Sequence, residues 1–178
     1  MFDEPLLELG CGRGVHLAHA APCSLGVDRD EAALEAVRAL GQRSARRDLS
    51  QPGWSDGLGR WPLVFCADLL VHLPDPDVLL AELPALLDQG GRLLLVEWVW
   101  PHGRLADGLV RAVVPGAAAH RAHAEHLHVF HADELVRRFT RHGLRLHSSW
   151  VHTVRSPWLG RALAPGWPPR SFLLGAGG

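Results

Sequence analysis

The chain has 178 residues, of which 47% are hydrophobic and 21% are charged. A chain of this length and composition is expected to form one soluble globular domain that buries roughly 70% of its unfolded surface. The formal net charge of −1 gives no sign of the basic surface by which proteins bind nucleic acid or an anionic membrane. No apolar run approaches the ~20 residues of a membrane span.

Two further observations bear on location and chemistry. Asp3, Glu4 and Pro5 stand where the basic region of a signal peptide would lie, and the three cysteines have no regular spacing. We therefore expect a cytoplasmic protein without disulfides. All the basic residues are arginine, which excludes mechanisms that need a lysine, such as a Schiff base or a P-loop.

The first element is an apolar strand over residues 6–9, which breaks into the glycine turn Gly10-Cys11-Gly12-Arg13-Gly14. A helical pattern follows to about Ala20 and stops before Pro22. Strand, glycine turn and helix begin a nucleotide-binding βαβ unit, because glycines let a ligand approach the backbone and adopt positive φ. A dinucleotide fingerprint needs a small residue at position 15, where Val15 stands. The match is instead E-x-G-x-G-x-G, which includes Glu8.

A second short strand, Ser24–Asp28, ends in an acid at the spacing where a Rossmann-type unit places its ribose-binding carboxylate. A capping role for Asp28 is weaker, because Asp30 already caps the next helix. Gly41 ends that helix. The predicted buried face of the helix carries Ala33, Leu34, Val37 and Leu40.

The next segment, Ser44–Leu49, is a possible third strand with Asp48 near its end. An aspartate before a proline and glycine turn is also ordinary turn chemistry, so both interpretations of Asp48 stay open. Residues 51–62 are a loop by composition.

A continuous apolar strand over Leu63–Asp68 leads through His72 into a helix capped by Asp75. Pro84 is expected to kink or break that helix near Leu83. Gln89-Gly90-Gly91 is predicted as the cap and turn before the strand Arg92–Trp98.

These alternating strands and helices predict parallel strands joined by right-handed crossovers and covered on both faces. Ligands bind beyond the carboxyl ends of such strands. One shared pocket would therefore bring together Gly10, Asp28, Asp48, Cys66 and Glu97.

Residues 6–98 resemble the core of a class I S-adenosylmethionine (SAM) dependent methyltransferase of the small-molecule type. The motifs are E-x-G-x-G-x-G, Val71-His72-Leu73-Pro74-Asp75 and Gly90-Gly91-Arg92-Leu93-Leu94-Leu95. The resemblance implies an α/β fold: a doubly wound, mostly parallel seven-stranded Rossmann-like sheet with helices on both faces and an antiparallel last strand. It also implies helices before the first strand, and only five residues precede that strand here. We therefore expect the N-terminal cap helices to be missing.

The resemblance also carries over the SAM contacts. The glycine turn would approach the methionine tail and ribose, Asp28 would hold the ribose hydroxyls, and Asp48 and Leu49 would flank the adenine. Cys66 and Ala67 would line the sulfonium end. The full set of expected cofactor-binding residues is Glu8, Gly10, Cys11, Gly12, Gly14, Asp28, Arg29, Asp48, Leu49, Cys66 and Ala67.

The rest of residues 1–178 is assigned to the same domain, with 99–130 as a substrate-cover insertion that includes a helix over Arg104–Val114. A helix from His131, capped by Asp133, ends at Gly143. A strand over Leu144–Val154, a loop over Ser156–Pro169 and a last strand over Ser171–Leu174 would complete the sheet.

Five histidines cluster before the predicted helix at His131. A metal site is one interpretation, but their spacing places them on no single face and no cysteine completes a set. A substrate-pocket role for His128 and His126 is favoured, and surface histidines are the remaining interpretation. The whole cluster is His120, His123, His126, His128 and His131.

His72 follows the Leu63–Asp68 strand and is the candidate general base, because imidazole exchanges protons near neutral pH. It would alternatively only pack the segment. Many enzymes of this type need no base, since alignment of the acceptor with the sulfonium carbon supplies much of the acceleration.

The sequence thus predicts a SAM-dependent methyltransferase that methylates an O, N or C atom of a small organic acceptor, yielding S-adenosylhomocysteine. No N-P-P-Y or Pro-Cys run occurs where Cys66-Ala67-Asp68-Leu69 stands, which argues against adenine, glutamine or cytosine-C5 methylation. No nucleic-acid or membrane partner is expected, and a homodimer is one way in which the open SAM site would be covered. The alternatives are a non-catalytic SAM- or nucleotide-binding protein or partner subunit and, less favoured, an NAD(P)-dependent oxidoreductase.

Overall fold

The computed structural model of the chain describes residues 3–100, 128, 130–151 and 169–177. Three α-helices lie within these residues: α1 (Glu31–Ala39), α2 (Pro76–Glu82) and α3 (Ala132–Arg141). Single 3-10 turns occupy Leu17–His19, Leu70–His72 and Leu83–Leu86. The strands are β1 (Leu6–Leu9), β2 (Leu25–Asp28), β3 (Arg43–Arg46), β4 (Trp61–Ala67), β5 (Leu87–Trp100), β6 (Phe130–His131), β7 (Leu144–Val151) and β8 (Pro169–Ala176).

Seven of these strands form one path in the order β3-β2-β1-β4-β5-β8-β7, and β6 pairs with the end of β5. The first five strands pair in parallel, whereas β8 runs antiparallel to both β5 and β7. The predicted mostly parallel seven-stranded sheet with an antiparallel last strand is confirmed. In this order the chain reverses direction across the sheet between β1 and β4.

The two faces of the sheet carry separate hydrophobic clusters, because side chains alternate along each strand. One cluster joins the strands to α2, to α3 and to Trp54 and Leu58 of the loop after β3. The other joins the opposite face to Leu34 and Val37 of α1 and to Leu17. Helices therefore pack on both faces, as predicted for a doubly wound sheet.

Charged groups join the elements of the first of these faces. Arg138 on α3 donates to Asp77 on α2 at 3.0 Å, and His142 Nε2 lies 3.0 Å from the other oxygen of the same carboxylate. Glu82 on α2 accepts from the main-chain N–H groups of Gly53 and Ser55 at 2.6 and 2.9 Å. Helix α2 thereby holds both α3 and the loop after β3.

The predicted helix over Val15–Ala20 is wrong, because the structure has only the 3-10 turn Leu17–His19 there. The segment is too short to sustain an isolated helix, and Pro22 prevents its extension. Leu17 is buried, but Val15 is 72% exposed, so the segment has no continuous apolar face to pack.

The predicted caps of α1 and α2 are confirmed, whereas the predicted burial of Leu40 and the predicted capping role of Asp133 are wrong. Asp30 and Asp75 cap α1 and α2 through hydrogen bonds to Ala32 and Asp77. Leu40, expected on the buried face, is 47% exposed because it lies at the helix end. Asp133 lies in the first turn of α3 instead of capping it, and His131 occupies the cap position.

The proline and glycine signals around residues 84–91 act as expected. Helix α2 ends at Glu82 and a 3-10 turn containing Pro84 follows. Gly90 has a φ of +78°, but the segment belongs to an irregular start of β5, where the pairing with β4 shifts. The cap-and-turn prediction was therefore right about the bend and wrong about the strand boundary.

No helix in the described part of the chain is long and apolar enough to cross a membrane. The predicted substrate cover over 99–130, its helix over 104–114 and the loop over 156–169 lie largely outside the described residues.

Candidate functional site

The candidate site lies where the strand order reverses, at the carboxyl ends of β1 and β4. In open parallel sheets this switch point forms a crevice that accepts ligands. Two segments flank it here. One is the glycine turn, Gly10–Gly14, which follows β1; the other is the β4 turn, Asp68–Leu73, which follows β4.

Main-chain hydrogen bonds fix the glycine turn against β2. The N–H groups of Gly10 and Cys11 donate to the carbonyl of Val27 at 2.8 and 3.0 Å. Gly10, Gly12 and Gly14 all have positive φ, at 68°, 50° and 80°. Such values favour glycine, so this part of the predicted motif is explained by backbone geometry.

Each glycine of the turn meets different surroundings. A Cβ added at Gly10 would lie 3.0 Å from Cδ1 of Leu69, and one at Gly14 would lie 3.0 Å from Cγ2 of Val37. No described atom lies within 4 Å of a Cβ added at Gly12. The turn therefore packs on the protein at its two ends and leaves its middle open to a ligand.

Asp28 connects the end of β2 to this turn. Its Oδ2 accepts from the N–H of Gly12 at 2.8 Å, and its Oδ1 accepts from the N–H of Asp30 at 3.0 Å. An ionised carboxylate has about four acceptor sites, so each oxygen keeps capacity for a further hydroxyl. Asp28 thus stabilises the turn while its carboxylate fits a ribose diol; the ribose contact itself stays a prediction.

Glu8 lies in β1, two residues before the turn, and is only 2% exposed. Its Oε1 is 2.7 Å from Nδ1 of His16, whose ring packs edge-on against Phe65. Its buried Oε2 has no hydrogen-bond partner among the described residues. Burial raises the pKa of Glu8, and the hydrogen bond and charge of His16 offset this only in part. Glu8 is thus linked to His16, which follows the turn, and its predicted contact with the cofactor stays a prediction.

The side chains of Cys11 and Cys66 lie in the protein interior. Cys11 is 5% exposed and packs against Gly26, and burial raises its pKa to about 12. Cys66 is fully buried, and burial raises its pKa well above the ordinary value. Both residues can therefore meet a ligand only through their main chain, whereas the neighbouring Ala67 is half-buried at the same strand end.

The predicted adenine-binding residues have local structural roles. Asp48 is exposed, and its Oδ1 accepts from the hydroxyl and N–H of Ser50 at 2.6 and 3.0 Å, which lowers its pKa. Leu49 is buried in the cluster on the α2 face. The carbonyl of Arg29 accepts from Arg46 at 3.1 Å. Turn chemistry accounts for Asp48, and its contact with adenine stays a prediction.

The β4 turn holds His72 and a neighbouring acid that sequence reasoning missed. Nε2 of His72 lies 4.0 Å from Oδ2 of Asp68, and both side chains are partly exposed. The turn is tied to β5, because Asp68 N–H donates to the Val96 carbonyl at 2.9 Å and Leu70 N–H donates to Glu97 at 2.8 Å. In the sequence, the four-residue spacing of Asp68 and His72 could have indicated that the two side chains lie near each other.

His128 also attaches to the β4 turn. Its main-chain N–H donates to the carbonyl of Val71 at 3.3 Å, and its Nε2 lies 2.8 Å from the carbonyl of Leu73. Because a carbonyl only accepts, this nitrogen carries a proton. The ring also stacks on Phe130. The contacts give His128 a structural role, while its predicted substrate role, and that of His126 outside the described residues, stay untested.

The described residues contain no group of three or more histidines, cysteines and acids that would hold a metal ion. His120, His123 and His126 of the histidine cluster lie outside the described part of the chain, so this finding does not test the metal interpretation.

A cavity of about 480 Å³ lies away from this crevice, toward the amino ends of β1 and β4. The residues that line it include Leu63, Leu94, Leu173, Glu4, Arg92 and Trp150. It contains none of the predicted site residues, so we do not assign the candidate site to it.

Comparison with known proteins gives both a family and a sequence relative. Residues 3–149 match a family model described as a methyltransferase domain. The ubiquinone biosynthesis O-methyltransferase of Methylococcus capsulatus is 33% identical over 93 residues, which cover 48% of this chain and 39% of that enzyme. The match therefore spans well under half of the relative's length.

Solved structures share the fold. A SAM-dependent methyltransferase from Methanosarcina mazei has a TM-score of 0.70 at 16% identity, covering 99% of this chain and 94% of that chain. The geranyl diphosphate C-methyltransferase of Streptomyces coelicolor A3(2), solved with S-adenosylhomocysteine, has a TM-score of 0.66 at 18% identity, covering 98% and 73%. At these identities the likeness establishes the fold alone.

Proposed function

This chain belongs to the family of methyltransferase domains, and from that premise we propose that it transfers the methyl group of SAM to an oxygen, nitrogen or carbon atom of a small organic molecule. The predicted resemblance to class I SAM-dependent methyltransferases is confirmed at the level of family and fold. The identity of the methyl acceptor and the roles of the site residues are proposed.

One structural observation supports the proposal above the others. The Gly12–Asp28 hydrogen bond of 2.8 Å holds the glycine turn at the switch point, with open space at Gly12. A nucleoside with a flexible charged tail fits such a site, because the backbone can approach it closely and a carboxylate can accept from its diol.

Each segment of the site would bind a different part of SAM. Gly10–Gly14 would receive the methionine tail and ribose through the main chain, Asp28 would accept from the ribose hydroxyls, and the ends of β4 would border the sulfonium. When bound, SAM supplies an electrophilic methyl group. The protein then contributes mainly orientation, because a correctly aligned acceptor needs little further chemistry.

A small organic acceptor is favoured by the nature of the named relatives. One is an O-methyltransferase of ubiquinone biosynthesis and another a geranyl diphosphate C-methyltransferase. They differ in acceptor atom, so they support the substrate class without choosing between O and C.

Calorimetric titration of the purified protein with SAM, S-adenosylhomocysteine and NAD⁺ tests the proposal. We expect micromolar binding of the first two ligands and none of NAD⁺. Binding of NAD⁺ alone would overturn the proposal in favour of an oxidoreductase. Binding of SAM without turnover on a broad acceptor panel would support a non-catalytic SAM-binding protein.

A further inference from the structure

Arg170 lies near the start of the last strand, at the edge of the sheet where the candidate site lies. Because β8 runs antiparallel to β5, its first residues stand beside the carboxyl end of β5, and Arg170 lies opposite Glu97 in the register. Glu97 in turn accepts from the N–H of Leu70 in the β4 turn. Neighbouring strands are about 4.8 Å apart, so Arg170 stands about 10 Å across the sheet from the β4 turn.

The guanidinium of Arg170 is partly buried, and its hydrogen-bonding capacity is largely unused. Its Nε is buried and has no hydrogen-bond partner among the described residues. Its Nη1 donates to the hydroxyl of Ser149 at 3.5 Å, which is longer than the usual range of about 2.7–3.2 Å. A guanidinium offers several N–H donors in a planar fork. One long contact therefore leaves most of this fork for another group.

Arg138 shows how the same chain satisfies another partly buried arginine. The Arg138 side chain is 22% exposed and lies 3.0 Å from a carboxylate oxygen of Asp77 and 3.2 Å from one of Glu134. Such pairing is the rule, because an ionised group that leaves water without a partner is costly. In the described part of the chain, Arg170 has no carboxylate at ion-pair distance. The contrast indicates that the partner of Arg170 is a group outside the described protein.

We propose that Arg170 binds a carboxylate group of the methyl acceptor, so that the acceptor is a small organic acid. This inference rests on the proposed methyltransferase function and narrows its acceptor class. The planar fork of a guanidinium matches the two oxygens of a carboxylate. One guanidinium balances one negative charge, and the buried acid Glu97 lies on the adjacent strand. A singly charged carboxylate therefore suits this position better than a phosphate, which carries more charge.

The position of Arg170 makes the carboxylate an anchor and not the methylated group. The sulfonium end of SAM is proposed to lie at the end of β4, whereas Arg170 lies two strands away on β8. The carboxylate and the atom that receives the methyl group are therefore different parts of the acceptor, about 10 Å apart. Holding the acceptor at its far end restricts its orientation, which is the main contribution expected of the protein in this reaction.

Thermal unfolding with benzoate as the probe tests the anion site without SAM. In a buffer poor in anions, Arg170→Gln should have a Tm equal to or above that of the unsubstituted protein, because it removes a charge that lacks a partner. Benzoate at about ten times its Kd should raise the Tm of the unsubstituted protein by about 3–6 °C and leave that of Arg170→Gln unchanged. The matched control is Arg145→Gln, an exposed arginine on β7, which should respond like the unsubstituted protein.

Three results of this experiment would overturn the proposal. A clearly lower Tm of Arg170→Gln without benzoate would show that the protein itself already satisfies the charge. Equal effects of benzoate on all variants would show that the anion binds elsewhere. A larger effect of phosphate than of benzoate, lost in Arg170→Gln, would replace the carboxylate by a phosphate group. In the unsubstituted protein, the ¹⁵N–¹H signal of Arg170 Nε, assigned with Arg170→Lys, should also shift when benzoate is added; an unmoved signal would count against the site.

Turnover on acceptors offered in pairs, each acid beside its own amide, tests the assignment to the acceptor. For acids that are methylated, we expect kcat/KM to exceed that of the amide at least tenfold, because a charge-assisted pair replaces a neutral hydrogen bond. Arg170→Gln should remove this preference mainly through KM and leave the values for the amides unchanged. Acids that are no better than their amides, or equal losses for both in Arg170→Gln, would contradict the proposal.

Binding of S-adenosylhomocysteine separates the two levels of inference. We expect unchanged affinity in every variant, because neither Arg170 nor Arg145 is assigned to the cofactor. A protein that binds this ligand but does not respond to benzoate through Arg170 would overturn the acid-acceptor inference alone. A protein that does not bind it would overturn the proposed function, while the benzoate experiment would still decide whether Arg170 binds a carboxylate.

Discussion

At the scale of single residues, Asp28 combines an observed structural role with a proposed binding role. Its carboxylate accepts from the N–H groups of Gly12 and Asp30, and it is also the residue that we propose to accept from the ribose diol. A residue that shapes a turn and also contacts the ligand couples stability to binding. Its neighbour Asp30 has only the capping role, which makes the two acids a matched pair.

We predict that Asp28→Ala weakens SAM binding at least tenfold and lowers the free energy of unfolding by about 1–3 kcal/mol, because hydrogen bonds to a charged acceptor are lost. Asp30→Ala should cost about 1 kcal/mol through loss of the α1 cap and leave the SAM affinity nearly unchanged. Calorimetry and urea unfolding of both variants measure the two effects. Equal affinities for Asp28→Ala and Asp30→Ala would refute the ribose role.

Glu8 illustrates the opposite case, a residue whose charge opposes folding. Because burial raises its pKa above 4.5, the folded state binds a proton more readily than the unfolded state. The stability that this proton provides is fully present below pH 4.5 and is lost as the pH rises through the folded-state value. A buried carboxylate at neutral pH is therefore a cost that the fold tolerates at this position.

We predict that Glu8→Gln is more stable than the unsubstituted protein at pH 7, and that the difference shrinks toward pH 4. The amide keeps the shape and the contact with His16 but carries no charge. Urea unfolding at several pH values measures the difference. A gain of stability that does not vary with pH would show that desolvation of the charge is not its cause.

At the scale of elements, α2 organises one face of the sheet through its acids. Asp77 joins α2 to Arg138 and His142 of α3, while Glu82 holds the loop after β3. Burial raises the pKa of Asp77, but the hydrogen bond from His142 and the charge of Arg138 outweigh it and leave the pKa below 3.8. The link between the two helices is therefore electrostatic as well as apolar.

We predict that Asp77→Ala lowers the free energy of unfolding by about 1–3 kcal/mol at pH 7, because Arg138 and His142 lose a shared acceptor. The contribution of Asp77 is present above pH 3.8 and is lost as the pH falls through its folded-state pKa. The variant and the unsubstituted protein should therefore converge in strong acid.

The control for this prediction is Asp133→Ala on α3. Asp133 pairs with Arg137, but their side chains are 72% and 66% exposed, so the pair should contribute little. Guanidinium unfolding of both variants at pH 7 and pH 3 makes the comparison. A similar small loss for both would mean that the link between α2 and α3 is purely hydrophobic.

At the scale of the whole molecule, the sequence predicts the architecture better than it predicts the site. Continuous apolar runs and helix caps indicate the parallel sheet, because burial on both faces leaves a strong pattern. The prediction of a helix over Val15–Ala20 was wrong because this segment has no continuous apolar face that could pack on the sheet. The positive φ of Asp68 was not visible in the sequence, because the contacts that hold its turn come from Val96 and Glu97, far along the chain. Likewise, the burial of the Cys66 side chain depends on how β4 pairs with β1 and β5, which the sequence does not show.

The position of β8 has a consequence for how the molecule is made. This strand follows β7 in the chain, yet it lies between β5 and β7 and is the sheet neighbour of both. During synthesis β7 emerges before β8, the strand with which it pairs. It can therefore join the sheet only after residues 169–176 have left the ribosome. The parallel half of the sheet can assemble on the nascent chain, whereas this last part is completed only afterwards. Until then the apolar edge of β5 is exposed, and the newborn chain depends on prompt completion or on a chaperone to avoid aggregation.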